Sequence, residues 1–171
     1  MGKHVNKKLR IVTGAPGSGK STVVNELLEY AYQSNCVFLD IDLIADSAST
    51  LAKSSIYTDP DTWVPYGNLW FDILKSLTAN GKSVVWFCPN TPEDIQSQDT
   101  SFFTDIEWLL LDCDDQVRIN RLWERGWQQS KITESLVDAR ELRELSLHSV
   151  DTTNLSPASV AKEIVRWVES S

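Results

Sequence analysis

Positions 14 to 21 read Gly14-Ala15-Pro16-Gly17-Ser18-Gly19-Lys20-Ser21, a full match to the pattern G-x-x-x-x-G-K-[ST]. Residues of these types at this spacing hold phosphate. Gly14, Gly17 and Gly19 let the backbone bend until successive N–H groups point inward at phosphate oxygens. Lys20 bridges the terminal phosphates as a point charge, and the Ser21 hydroxyl takes a position on magnesium. A short apolar run, Leu9-Arg10-Ile11-Val12, precedes the loop, and Val24, Leu27, Leu28 and Ala31 follow it at helical spacing. Strand, glycine-rich turn and helix start, in that order, are the context in which the pattern becomes a nucleoside triphosphate site.

Two other groups of residues can act on a bound phosphate. Asp40 and Asp42 stand two residues apart at the end of the apolar run Cys36-Val37-Phe38-Leu39 and face the same way if the chain stays extended. One carboxylate near an acceptor hydroxyl and one near magnesium is what phosphoryl transfer requires, and either aspartate can take either part. The alternative has Asp42 as the N-cap of Leu43-Ile44-Ala45 and Asp40 as a solvated strand end. Arg118, Arg121 and Arg125 follow i, i+3, i+7 spacing on one helix face, which suggests an anion clamp. The alternative there is a solvated face paired with Asp114, Asp115 and Glu124. Trp63, Tyr66 and Trp70 form an aromatic stripe that can line an acceptor pocket, although core packing is the commoner fate of such stripes. His4 and His148 have no partners at metal-ligand spacing, Cys88 has no base beside it, and Lys131, Arg140 and Arg143 read as a charged helix face.

The elements that must position these residues alternate between strand and helix. A helix after Asp61, with Trp63, Tyr66, Trp70, Ile73, Leu74 and Leu77 on one face, ends at Asn80-Gly81. Pro65 is tolerated because it lies in that helix's first turn. Strands are expected at 83–88 and 106–111. Asp114 is the expected cap of a helix running to about Gly126, and another helix is expected over 133–145. A weak fifth strand falls at 146–150, and a last helix after Ser156-Pro157 buries Val160, Ile164, Trp167 and Val168. Strands separated by helices imply an α/β fold with a parallel sheet covered on both faces, its ligands beyond the carboxyl ends of the strands.

At 171 residues one domain, 1–171, is expected. The formal charge is 16 − 24 = −8, which argues against a general nucleic-acid binder but not against a local phosphate nest. No apolar run is long enough to span a bilayer, so no membrane partner is expected. The polar start lacks a signal-peptide core, and Asn6 stands where myristoylation of Gly2 would need serine or threonine. Cys36, Cys88 and Cys113 are scattered beside apolar runs and read as reduced thiols, so the expected compartment is cytoplasmic.

The chain resembles the small P-loop kinases, the grouping of nucleoside and nucleotide kinases, shikimate and gluconate kinases and antibiotic phosphotransferases. The resemblance rests on Gly14 to Thr22, on Asp40-Ile41-Asp42, on Arg121-Leu122-Trp123-Glu124-Arg125 and on Asp151-Thr152-Thr153-Asn154-Leu155-Ser156. It implies a three-layer α/β/α fold with five parallel strands in the order 2-3-1-4-5, and ATP and magnesium as cosubstrate and cofactor. It further implies Lys20, Asp40, Asp42 and Arg125 in catalysis and a lid over about 118–131. The loop residues Gly14 to Thr22, Arg118, Arg121, Arg125 and Thr153 would contact the nucleotide. The chain departs from the pattern at Val84-Val85-Trp86-Phe87-Cys88-Pro89, which offers no strand-end aspartate for the metal. Magnesium then falls to Ser21 with Asp40, or to Ser21 and water. The expectation is a kinase of a small hydroxylated acceptor, monomeric or homodimeric. The alternatives are a nucleotide-binding module acting through a protein partner and, disfavoured by charge, a kinase of polynucleotide 5′ ends.

Overall fold

The computed structural model describes residues 7–170; residues 1–6, with Gly2, His4 and Asn6, and residue 171 lie outside the described residues. Five strands form one parallel sheet: β1 (Lys8–Thr13), β2 (Cys36–Asp40), β3 (Ser83–Phe87), β4 (Asp105–Asp112) and β5 (Ser149–Asp151). Their spatial order is β2-β3-β1-β4-β5, so β1 is central and the loop that follows it opens at the middle of the sheet's carboxyl edge. The register sets Ile11 against Trp86 on one side and Trp108 on the other.

Among the described residues seven α-helices connect and cover the strands: α1 (Lys20–Glu26), α2 (Leu28–Gln33), α3 (Ala45–Ala52), α4 (Trp63–Ala79), α5 (Asp115–Glu124), α6 (Gln129–Glu144) and α7 (Pro157–Ser170). The two-residue alternation of the strands divides the core. Leu9, Ile11, Val84 and Trp86 pack against Trp70, Phe71 and Leu74 of α4. Val12, Val85, Phe87, Leu109 and Leu111 pack against Val23 and Leu27 and against Val160, Ile164 and Val168 of α7. Among the described residues no helix is long and apolar enough to cross a membrane, and the three cysteines are free and buried.

Several local expectations shift. The helix after the phosphate loop breaks at Leu27, whose N–H turns back to the Val24 carbonyl, and the buried residues are Val23 and Leu27 while Leu28 is exposed. The helix expected at 133–145 begins earlier, at Gln129, and the fifth strand lies at Ser149–Asp151. On α4, Phe71 is buried in the core, whereas Trp63 is 55% exposed. Trp167 is only partly buried against the α7 side of the core.

Candidate active site

The loop between β1 and α1 lies folded on the end of β4. A Cβ at position 14 would stand 2.4 Å from the Leu111 carbonyl oxygen and 2.6 Å from Ser18 Oγ, so only glycine lets the backbone approach this closely. Gly17 has φ +83°, a left-handed conformation that a side chain would strain. Ser18 is wholly buried, and its Oγ has no hydrogen-bond partner. Lys20 Nζ donates to the Gly14 carbonyl and, at 3.4 Å, to that of Ala15. Burial lowers the lysine pKa to about 8; Cys88, Asp40 and Asp42 nearby raise it, and Arg118 pushes it down. A half-buried ammonium bonded to loop carbonyls, beside an unpartnered buried hydroxyl, has the chemistry of a site for an anion, and these residues fit a nucleotide's phosphates.

The loop is held from beneath. Arg118 is fully buried; it donates to the Pro16 carbonyl at 2.6 Å and to Asp112 Oδ1 at 2.6 Å. Ser135 Oγ donates to the same Pro16 carbonyl at 3.0 Å. Arg143 closes on the other carboxylate oxygen of Asp112 at 2.6 Å and reaches Asp115 at 2.8 Å. The arginines expected as one clamp are therefore divided. Arg118 points into the protein under the loop, because α5 lays that position against it. Arg121 donates to the Gly17 carbonyl and to Thr152, both at 3.1 Å through one nitrogen, and at 2.9 Å to the Thr152 carbonyl. Arg125, the C-cap of α5, is exposed. Arg143, read from sequence as part of a charged face, is instead the second partner of Asp112.

One cavity borders the loop, and a second lies beyond the ends of β2 and β3. The first, of about 380 Å³, is lined by Ser18, Gly19, Thr22, Arg121, Arg125 and Thr152 among others. Thr152, one residue before the expected Thr153, is buried there and donates to the Ser18 carbonyl at 3.0 Å. Thr153 faces elsewhere; its Oγ1 accepts the Asp114 N–H at 2.8 Å. The second cavity, of about 510 Å³ on the β2–β3 side, is lined by Asp42, Tyr57, Trp63, Tyr66, Asn90 and Asp94 among others.

Asp40, not Asp42, caps the short 3-10 turn Ile41–Ile44: its Oδ1 accepts the Asp42 N–H at 3.0 Å. The Asp42 carboxylate is thereby left free to line the second cavity. Burial raises its pKa, Asp40 and Asp46 add to the rise, and Lys20 opposes it. Ser21 and Thr22 are exposed in the first turn of α1. At the end of β3 the Cys88 thiol is pushed up to about 12 by burial, so it stays protonated at neutral pH. Among the described residues no group of three or more His, Cys, Asp or Glu is placed to hold a metal ion. Asp112, which closes β4 at the sheet's carboxyl edge, is taken by two arginines.

Solved structures share this fold at low identity. A tunicamycin resistance protein from Deinococcus radiodurans aligns with TM-score 0.71 at 17% identity, over 95% of each chain. A sugar kinase from Janibacter sp. HTCC2649 gives 0.65 at 18%, also over 95% of each chain. A gluconokinase from Sinorhizobium meliloti 1021 gives 0.58 at 20%, over 96% of this chain and 95% of that one. No curated protein matches the sequence significantly. The fold is thus that of P-loop proteins built like small-molecule kinases. Residues 11–144 match the model of the AAA domain family, and the chain belongs to that family.

Proposed function

We propose that this protein is a kinase that uses ATP and magnesium to phosphorylate a hydroxyl of a small molecule. The observation that carries the reading is the loop bearing Lys20, which borders a cavity with arginines and threonine and whose lysine interacts with Asp42 on the wall of a second cavity of aromatic rings and carboxylates. That division fits a nucleotide on the β4–β5 side and an acceptor on the β2–β3 side.

In this reading the backbone of Gly14 to Thr22, with Lys20, Arg121, Arg125 and Thr152, holds the nucleotide, while Ser21 and Asp40 would hold the metal. Bound ATP would supply the phosphoryl group: the bond from its γ-phosphorus to the bridging oxygen breaks as the bond to the acceptor oxygen forms, and ADP leaves with the electron pair. Asp42 takes the proton of the acceptor hydroxyl. Lys20 and Arg125 face charge that spreads over the migrating group and contribute most in the transition state. Arg118 positions the loop rather than touching the ligand. Because Arg118 and Arg121 are anchored, the part of the 118–131 segment free to close begins near Arg125. The whole chain acts as one domain.

Lys20→Ala is expected to weaken ATP affinity roughly tenfold to a hundredfold, the range for hydrogen bonds to a charged group. Calorimetry on the folded variant tests this, and unchanged affinity overturns the reading.

The lowered pKa of Lys20 adds a pH signature. Free Lys20 loses its proton as pH rises through about 8, whereas a phosphate beside it holds the proton on. Binding above pH 8 is therefore expected to take up a proton, and affinity to fall as pH rises further. Calorimetry at alkaline pH in two buffers of different ionisation enthalpy measures the uptake; zero uptake would mean that Lys20 stays charged in the free protein.

A further inference from the structure

The second cavity contains an arrangement that narrows the acceptor class. No lysine, arginine or histidine lines it, yet two aspartates do, Asp42 and Asp94. Neither has an ion-pair partner within salt-bridge distance among the described residues. Asp94 accepts the Thr91 N–H at 2.7 Å and the Thr91 hydroxyl at 2.9 Å, an arrangement that holds its carboxylate without neutralising it. A carboxylate or phosphate entering here would lose hydration and meet like charge on the cavity wall.

The rest of the wall is aromatic and apolar. Trp63 and Tyr57 are each 55% exposed and Val64 is 51% exposed, so this side of the cavity has no cover from the protein itself. Trp63 is nonetheless fixed in place, because its Nε1 donates to the Ile56 carbonyl at 3.0 Å. An exposed ring held by a hydrogen bond is prepared to receive a flat partner at little entropic cost.

We propose that the acceptor is an alcohol without negative charge, neutral or cationic, carrying a flat ring, and that this cavity excludes sugar acids and phosphorylated alcohols. The inference rests on the kinase reading and deepens it. The reaction is the transfer described above, in which the alcohol oxygen forms the new bond and gives its proton to Asp42.

Three matched probes test the charge rule: the para-nitrophenyl glycosides of glucose (neutral), glucosamine (cationic) and glucuronic acid (anionic). They are titrated into the full chain with nitrogen-labelled indoles, with ADP production followed in parallel. The glucoside and glucosaminide are expected to bind at least about tenfold more tightly than the glucuronide, and to shift the Trp63 or Trp86 indole resonance. Val64→Lys, at an exposed position that does not threaten folding, is expected to narrow that gap at least about threefold by adding a cation to the wall. Equal affinities, preference for the glucuronide, absence of binding by all three, or a gap unmoved by Val64→Lys overturns the proposal. Tight binding of the neutral probe without ADP formation supports the cavity's charge rule and counts against the kinase reading. Phosphorylation of the glucuronide in preference supports the kinase and overturns the charge rule.

Discussion

Asp42→Asn is expected to leave ATP binding unchanged and to lower phosphoryl transfer by about a hundredfold to ten-thousandfold, the usual loss when a general base is removed. Asparagine keeps the volume and one carbonyl oxygen but cannot accept the acceptor's proton. The test is specific because Asp42 does not cap its turn; Asp40 does. Loss of activity therefore cannot be assigned to a broken cap. The pH profile gives a second readout. Burial and the neighbouring Asp40 and Asp46 raise the Asp42 pKa, so the base is protonated at a higher pH than an ordinary carboxylate. Turnover in the unmodified protein should fall as pH drops through that raised value, and the limb should vanish in the variant. A variant that turns over normally with a true acceptor would leave Asp42 without a catalytic part.

Arg118→Met is expected to destabilise the fold by about 3 kcal/mol, at the low end of the cost of breaking a buried ion pair. The low end applies because Arg143 still neutralises Asp112, and Ser135 still donates to the Pro16 carbonyl. At this chain length that corresponds to a fall of roughly 6–12 °C in Tm. Arg125→Ala is the control: it lies on the same helix face by spacing but is exposed, and should change stability by less than about 0.5 kcal/mol. Urea denaturation of both variants decides the matter. Equal, small losses would mean that the buried arginine holds nothing together.

The two arginines show where sequence and structure part. Gly14 to Ser21 could be recognised from the chain alone because its chemistry is local: the glycines set the backbone path and the lysine follows within one turn. The five strands and the long helices were likewise legible, since burial on one or both faces leaves a two-residue or a helical period in the residue order. The order β2-β3-β1-β4-β5 came through resemblance, and the pairing register agrees with it.

What lies opposite a given face had no local trace. Arg118, Arg121 and Arg125 share one helix face, and spacing tells direction around the helix axis but not what that direction meets. The phosphate loop lies over Arg118, a threonine and a carbonyl over Arg121, and solvent over Arg125. Arg143 joins Asp112 from a separate helix across 31 positions, and the choice of Thr152 over Thr153 turns on which side of one residue faces the loop. On α4 the spacing left Trp63 open to either core or pocket, and its half-exposed ring stands at a cavity wall. The sequence by itself determined the phosphate-loop pattern and the strand and helix that flank it, because those are properties of short segments. Only the tertiary structure decided which charges face open space and which support the loop, because a side chain's surroundings are set by the element packed against it.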